Sequence, residues 1–139
     1  MIEKEMKEKN KEKKSIELTD GIVVLKPFTP ENARKHLEGD DPEQQKWLSG
    51  GKNTNDSVRN WIKRNQEFWE KGGPIFNFAI WTSEDGKLIG MIEANTDWKK
   101  VEGMKYGDAN ISYGLYPEAR GKGYMVSAIN LIQDFLKEK

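Results

Sequence analysis

Between Ala109 and Leu136 the apolar pattern changes period, and the change happens across a glycine-bearing junction. From Ala109 to Tyr116 it alternates, with Ile111, Tyr113 and Leu115 on one face and Asn110, Ser112, Gly114 and Tyr116 on the other, which predicts a half-buried strand. Met125, Ala128, Ile129, Ile132, Phe135 and Leu136 then follow the stripe of an amphipathic helix. Pro117-Glu118-Ala119 and Arg120-Gly121-Lys122-Gly123 join the two. Glycines at such a junction let backbone amides turn inward with no Cβ in the way, and the helix adds unpaired N–H groups at its positive end. The junction suits a phosphate or pyrophosphate, although a plain tight turn has the same local chemistry. It lacks the spacing of a Walker loop, and no third glycine completes Gly-x-Gly-x-x-Gly.

The upstream elements define the layer this junction belongs to. Gly21-Ile22-Val23-Val24-Leu25-Lys26-Pro27 is a β-branched run closed by proline, which predicts a strand. Thr29-Pro30-Glu31 offers a cap, a first-turn proline and an acid, so a short helix is predicted from about Pro30 to Glu38. Residues 39–55 are polar apart from Trp47 and Leu48 and read as a loop, with or without a short helix. After Asn55-Asp56-Ser57, the apolar residues Val58, Trp61, Ile62, Phe68 and Trp69 keep helical spacing until Gly72-Gly73-Pro74. Ile75–Trp81 and Lys87–Asn95 read as a β-hairpin turning at Glu84-Asp85-Gly86, and 96–107 as a loop. The predicted order is β-α-α-β-β-β-α.

A length of 139 residues allows one domain with a real core, and five Trp and five Phe supply apolar bulk for it. Residues 1–14, with six Lys and four Glu, cannot bury a face and read as a charged tail. Lys plus Arg and Asp plus Glu each total 23, which disfavours a globally basic nucleic-acid binder. The absence of cysteine excludes disulfides, thiolate catalysis and cysteine-based zinc sites. One histidine, His36, leaves little room for triads or multi-histidine metal sites, and in a charged helix it reads as a surface residue. No apolar run approaches the roughly 20 residues of a membrane span, and the N-terminus lacks the apolar core of a signal peptide. The default is a soluble cytoplasmic protein, with neither membrane nor nucleic acid as partner.

In this context Arg120-Gly121-Lys122-Gly123-Tyr124-Met125 resembles the acetyl-CoA signature of the GNAT N-acetyltransferase superfamily, Gln/Arg-x-x-Gly-x-Gly/Ala. Ser112-Tyr113-Gly114-Leu115-Tyr116-Pro117-Glu118-Ala119 resembles that family's fourth strand and the link after it. Leu25-Lys26-Pro27-Phe28-Thr29-Pro30-Glu31 and Leu88-Ile89-Gly90 are similar to its branch of ribosomal-protein N-terminal acetyltransferases and related small-molecule acetyltransferases. Met125 departs from the signature, where Gly or Ala is usual, and would crowd the first helical turn. The resemblance implies an α/β (α+β) domain with a central, mostly antiparallel sheet and helices on both faces. It also implies acetyl-CoA as co-substrate, with no metal. Backbone amides of roughly Gly121 to Met125, Tyr124 among them, would hold the pyrophosphate, with Arg120 and Lys122 adding positive charge. The pantetheine arm would pair along the strand near Tyr113, Leu115 and Tyr116. A strand amide would polarise the thioester carbonyl, and transfer would rest on alignment of two bound substrates.

An ammonium acceptor must lose a proton before it attacks, so a carboxylate facing the cleft, or one reached through water, is the expected base. Glu93 on the third predicted strand and Asp108 at the head of the fourth are the candidates, each with a simpler reading as a strand or turn residue. Related enzymes often carry an acid near position 110, where this chain has Asn110, able to orient a water or the acceptor. Glu38, Asp40 and Asp41 read as a solvated loop, and Trp47, Trp81 and Trp98 as core or as an acceptor-pocket wall. The acceptor would be an amine on a small molecule or a protein. The family continues after the glycine-loop helix with a fifth strand and further elements, whereas this sequence stops at Phe135-Leu136-Lys137-Glu138-Lys139. Residues 15–139 therefore read as the N-terminal portion of such a domain, lacking the usual C-terminal strands and weak or inactive alone. Rival readings are a non-catalytic CoA-binding module and a structural module that self-associates through an exposed strand edge.

Overall fold

The computed structural model describes residues 16–39 and 54–138. The charged tail over 1–14 lies outside these, as do Asp40, Asp41, Trp47 and Leu48. The described strands are β1 (Leu18–Thr19), β2 (Val23–Lys26), β3 (Ile75–Thr82), β4 (Leu88–Asn95) and β5 (Asn110–Leu115). The helices are α1 (Ala33–Gly39), entered through a 3-10 turn at Pro30–Asn32, α2 (Asn55–Lys71) and α3 (Tyr124–Lys137). The strands form one antiparallel sheet in the order β1-β2-β3-β4-β5.

Strand β1 has no counterpart in the sequence reading, because two residues are too short to show a period. It pairs Leu18 with Leu25 and Thr19 with Val24. The turn that follows is local chemistry: the Asp20 carboxylate accepts the N–H groups of Ile22 and Val23 at 2.9 and 3.0 Å. In helix α2 the polar cluster Asn55-Asp56-Ser57 is itself the first turn. Its cap is Thr54, which exchanges bonds with Ser57 in a reciprocal box, and Gly72 closes the other end.

Helices cover both faces of the sheet. On one face, α3 sets Ala128, Ile132 and Phe135 against Val23, Leu25, Phe76, Phe78, Ile80 and Ile92. Each Val, Leu, Ile or Phe side chain here taken from water is worth about 1.5–3 kcal/mol, so this stripe anchors the junction in front of it. Trp69 of α2 joins the cluster, 5.0 Å from Phe78 and 5.3 Å from Phe76 between ring centroids. Its Nε1 donates to the Asn77 carbonyl at 3.1 Å, on the part of β3 that extends past the end of β2. The indole thus closes a sheet edge that would otherwise be bare.

On the opposite face, α1 and α2 bring Ala33, Val58 and Ile62 against Phe28, Ala79, Leu88 and Tyr116. Here the surface reading of His36 fails, since the residue is only 7% exposed. Its ring stacks on Trp61 and meets the edge of Phe28, each 5.2 Å between centroids, and Nδ1 lies 2.8 Å from the Tyr116 hydroxyl. Ala33, His36 and Leu37 share the inward stripe of α1, so His36 is a core residue whose polar atom finds a partner 80 positions away. Tyr116→Phe should lower stability by about 1 kcal/mol through loss of this bond, read as a lower Tm by calorimetry.

Candidate active site

The junction that changes period in sequence becomes an open loop at one end of the sheet. After β5, a 3-10 turn at Pro117–Ala119 buries Ala119 in the α3-side cluster. Arg120 then reaches back, its Nε donating to the Leu115 carbonyl at 3.1 Å, which ties the loop to the strand it leaves. Gly121 and Gly123 take φ of +76° and +82°, a region that favours glycine, and Gly123 caps α3. A Cβ built on either meets nothing within 4 Å, so open space faces the loop backbone. Among the described residues no side chain caps α3, and its own first turn carries no acid, so its first N–H groups and positive end could take an anion. Met125 and Tyr124 pack toward the α3-side cluster. Lys122 is exposed; with Tyr124, Lys87, Ile89 and Tyr116 it lines a pocket of about 130 Å³.

Strand register decides which backbone groups of β5 are free. The Tyr116 N–H bonds the Ile89 carbonyl at 2.8 Å, in line with the β4–β5 pairing of Gly90 with Leu115. Alternation then turns Gly114, Ser112 and Asn110 toward β4, and Ile111, Tyr113 and Leu115 toward the outer side. Tyr113 and Leu115 accordingly offer edge N–H groups, while the Leu115 carbonyl is taken by Arg120. Ile111, which shares the strand face with Tyr113 and Leu115 in sequence but was not among the candidate cofactor residues, belongs with them. Tyr116 does not: its amide is used within the sheet and its hydroxyl is held by His36. The Tyr113 side chain is 50% exposed, because α3 packs over β2 and the middle of the sheet and leaves this end of the face open.

The candidate acids part company. Glu93 is half-buried on the α1/α2 face, where Asn77 Nδ2 donates to its Oε1 at 3.3 Å. Burial pushes its carboxyl above the usual glutamate range, and the Asn77 bond opposes that rise. Ser112 stands opposite Glu93 in register and Asn110 one pair further on the same face. Asp108 instead closes a turn: its Oδ2 accepts the Lys105 N–H at 2.9 Å and its own N–H bonds the Lys105 carbonyl. Glu38 pairs with Arg34 on an exposed helix face. Trp81 packs into the α1/α2-side cluster, and Trp98 lies edge-on to Tyr106 in the loop after β4.

Residues 23–139 match the sequence model of the acetyltransferase (GNAT) domain. The chain belongs to the GNAT family. Its fold agrees with that of other GNAT proteins at low sequence identity. RimL, a ribosomal L7/L12 alpha-N-protein acetyltransferase, superposes with a TM-score of 0.71 at 11% identity, over 89% of this chain and 66% of RimL. A GNAT-family acetyltransferase from Bacillus anthracis gives 0.65 at 19% identity, over 86% and 65%. The microcin C7 self-immunity acetyltransferase MccE, in complex with acetyl-CoA and AMP, gives 0.64 at 19% identity, over 84% and 63%. This GNAT chain thus spans just under two thirds of the length of each of these three. No curated protein matches it by sequence. Among the described residues of the GNAT domain no group of three or more His, Cys, Asp or Glu could hold a metal ion, and no helix is long and apolar enough to cross a membrane.

Asn77 carries no site signal in the sequence, and Ser112 and Ile111 show there only as strand-face residues. Asn77 and Ser112 acquire their place only through pairing with Glu93 on the next strand. Ile111 alternates with Tyr113 and Leu115, and that spacing was enough to find it.

Proposed function

We propose that this GNAT chain binds acetyl-CoA and transfers its acetyl group to an amine. The observation that carries the reading is the Gly121–Gly123 loop opening onto the end of α3, beside the outer edge of β5, both without a side-chain cap or a further strand among the described residues. In this reading the amides of Gly121 to Met125 receive the pyrophosphate. Lys122 adds positive charge, and Arg120 holds the loop in register with the strand. The Tyr113 and Leu115 amides, with Ile111, accept the pantetheine arm as a further strand would be accepted. An edge amide of β5 then meets the thioester carbonyl as negative charge develops there. Glu93 removes a proton from the acceptor ammonium, and Asn110 and Ser112 line the same face and orient the acceptor. Asp108 serves the turn before β5 and is not the base.

An amine of a protein N-terminus is one acceptor class, the one RimL is named for, and a small-molecule amine is the other. A cytoplasmic location suits a cysteine-free chain using this co-substrate. Isothermal titration with acetyl-CoA, followed by thiol release in the presence of a panel of amines, tests the reading. Stoichiometric binding with amine-dependent release supports it; no binding overturns it, and binding without release to any amine favours a CoA-binding module.

Glu93→Gln should lower kcat by about 10²–10⁴-fold with acetyl-CoA affinity unchanged. Because burial raises the Glu93 carboxyl, the unmodified chain should gain rate as pH rises through that raised value and the carboxylate forms. Stability runs the other way. A carboxyl held above its unfolded value favours folding most below that unfolded value, and the advantage is lost as pH rises through the folded one. Glu93→Gln should therefore match the unmodified chain in acid and be more stable above that range, as checked by urea denaturation at several pH values.

A further inference from the structure

Asn77 is the one polar residue among the largest fully buried side chains, 1% exposed in the middle of β3, and its Oδ1 has no hydrogen-bond partner among the described residues. An amide buried this deeply costs more than an apolar residue of the same size unless its hydrogen bonds are made, so one half-satisfied in the core calls for a reason. Among the described residues its side chain has one polar tie, from Nδ2 to Glu93 Oε1 at 3.3 Å. Backbone geometry makes that tie specific. Glu93 turns its own N–H and C=O toward β5, so Asn77 and Glu93 face each other as a non-hydrogen-bonded pair, the register in which opposed side chains come closest. The Asn77 backbone is itself anchored, because its carbonyl accepts from Trp69 Nε1.

We propose that Asn77 is a positioning residue for Glu93: it holds one carboxylate oxygen, fixes the plane of the carboxyl and leaves the second oxygen for the acceptor's ammonium proton. The proposal rests on the reading of Glu93 as the base. Bonded to the ionised form, Asn77 also opposes the effect of burial and keeps the carboxylate available at lower pH. The partners in register with Glu93 are the neutral Asn77 from β3 and Ser112 from β5, and no charged side chain of the described elements contributes to its shift.

The test reads Glu93 directly by carbon NMR titration of its carboxyl, assigned by the loss of that signal in Glu93→Gln. In the unmodified chain, the Asn77 side-chain amide resonances should titrate with the Glu93 midpoint, and they should stop doing so in Glu93→Gln. In Asn77→Leu, or in the smaller Asn77→Ser if the leucine variant does not fold, the Glu93 midpoint should move to higher pH. The acid limb of the kcat profile should move with it, with KM for acetyl-CoA unchanged. Asn77 amide resonances that ignore the Glu93 titration, or a Glu93 midpoint that stays put in a folded variant, would overturn the proposal. Because the NMR arm needs no turnover, a coupled titration in a chain without transferase activity would count against the base reading and leave the Asn77–Glu93 pairing standing.

Discussion

Gly123→Val should reduce acetyl-CoA affinity by about 10²–10⁴-fold, on the reading that the glycine loop and α3 receive the pyrophosphate. Each hydrogen bond from an amide to a charged group is worth roughly 1.5–3 kcal/mol, and losing two of them corresponds to that range. Gly123 sits at φ +82° as the cap of α3, with open space where its Cβ would stand. A valine there acts twice. The left-handed backbone costs a non-glycine residue about 1–2 kcal/mol, and the branched side chain occupies the space an anion needs to reach the helix end. Gly103→Ala separates the two effects, because Gly103 has φ +86° and equally open surroundings in the loop after β4. The control should show a modest stability loss with unchanged affinity by isothermal titration. A Gly123→Val chain that folds and binds acetyl-CoA as well as the parent would remove the loop from the site.

Gly90→Ala should be the most destabilising small substitution in the sheet. A Cβ at this position would lie 2.2 Å from the Gly114 carbonyl oxygen and 3.0 Å from the Leu115 Cα. Both obstacles are backbone, so no rotamer relieves the clash and β5 must move away from β4. Overpacking of this kind costs about 1–3 kcal/mol, with the upper end expected here, against a total stability of roughly 5–15 kcal/mol for a domain. Calorimetry should record a Tm lower by roughly 5–15 °C. The displaced strand carries the Tyr113 and Leu115 edge and the carbonyl that Arg120 grips, so acetyl-CoA affinity should fall as well. A Gly90→Ala chain with parental Tm would show that β5 approaches β4 less closely than described.

The two glycines differ in how they announce themselves. Gly123 was legible, because a glycine between a strand pattern and a helical stripe has local meaning in the chain itself. Gly90 was visible only as part of a segment similar to a family, and its physical reason lies in a carbonyl 24 positions away. The same division separates the candidate acids. Asp108 beside Gly107 could be read as a turn residue from its neighbours, and it is one. The partner of Glu93 is Asn77 across a hairpin, and nothing in either local segment says so.

Residue order alone determined the types of the longer elements, all but the two-residue β1, and the β-to-α junction with its glycines, because periodicity, turn chemistry and helix capping are set by residues a few positions apart. Tertiary structure decided register. Register placed the Tyr113 and Leu115 amides on a free edge and turned the Tyr116 amide inward. It drew His36 into the core against Tyr116 and set Asn77 against Glu93. The reason is the two-residue period of a strand: a slip of one position reverses every side chain and every backbone group, and only pairing between distant segments selects the phase.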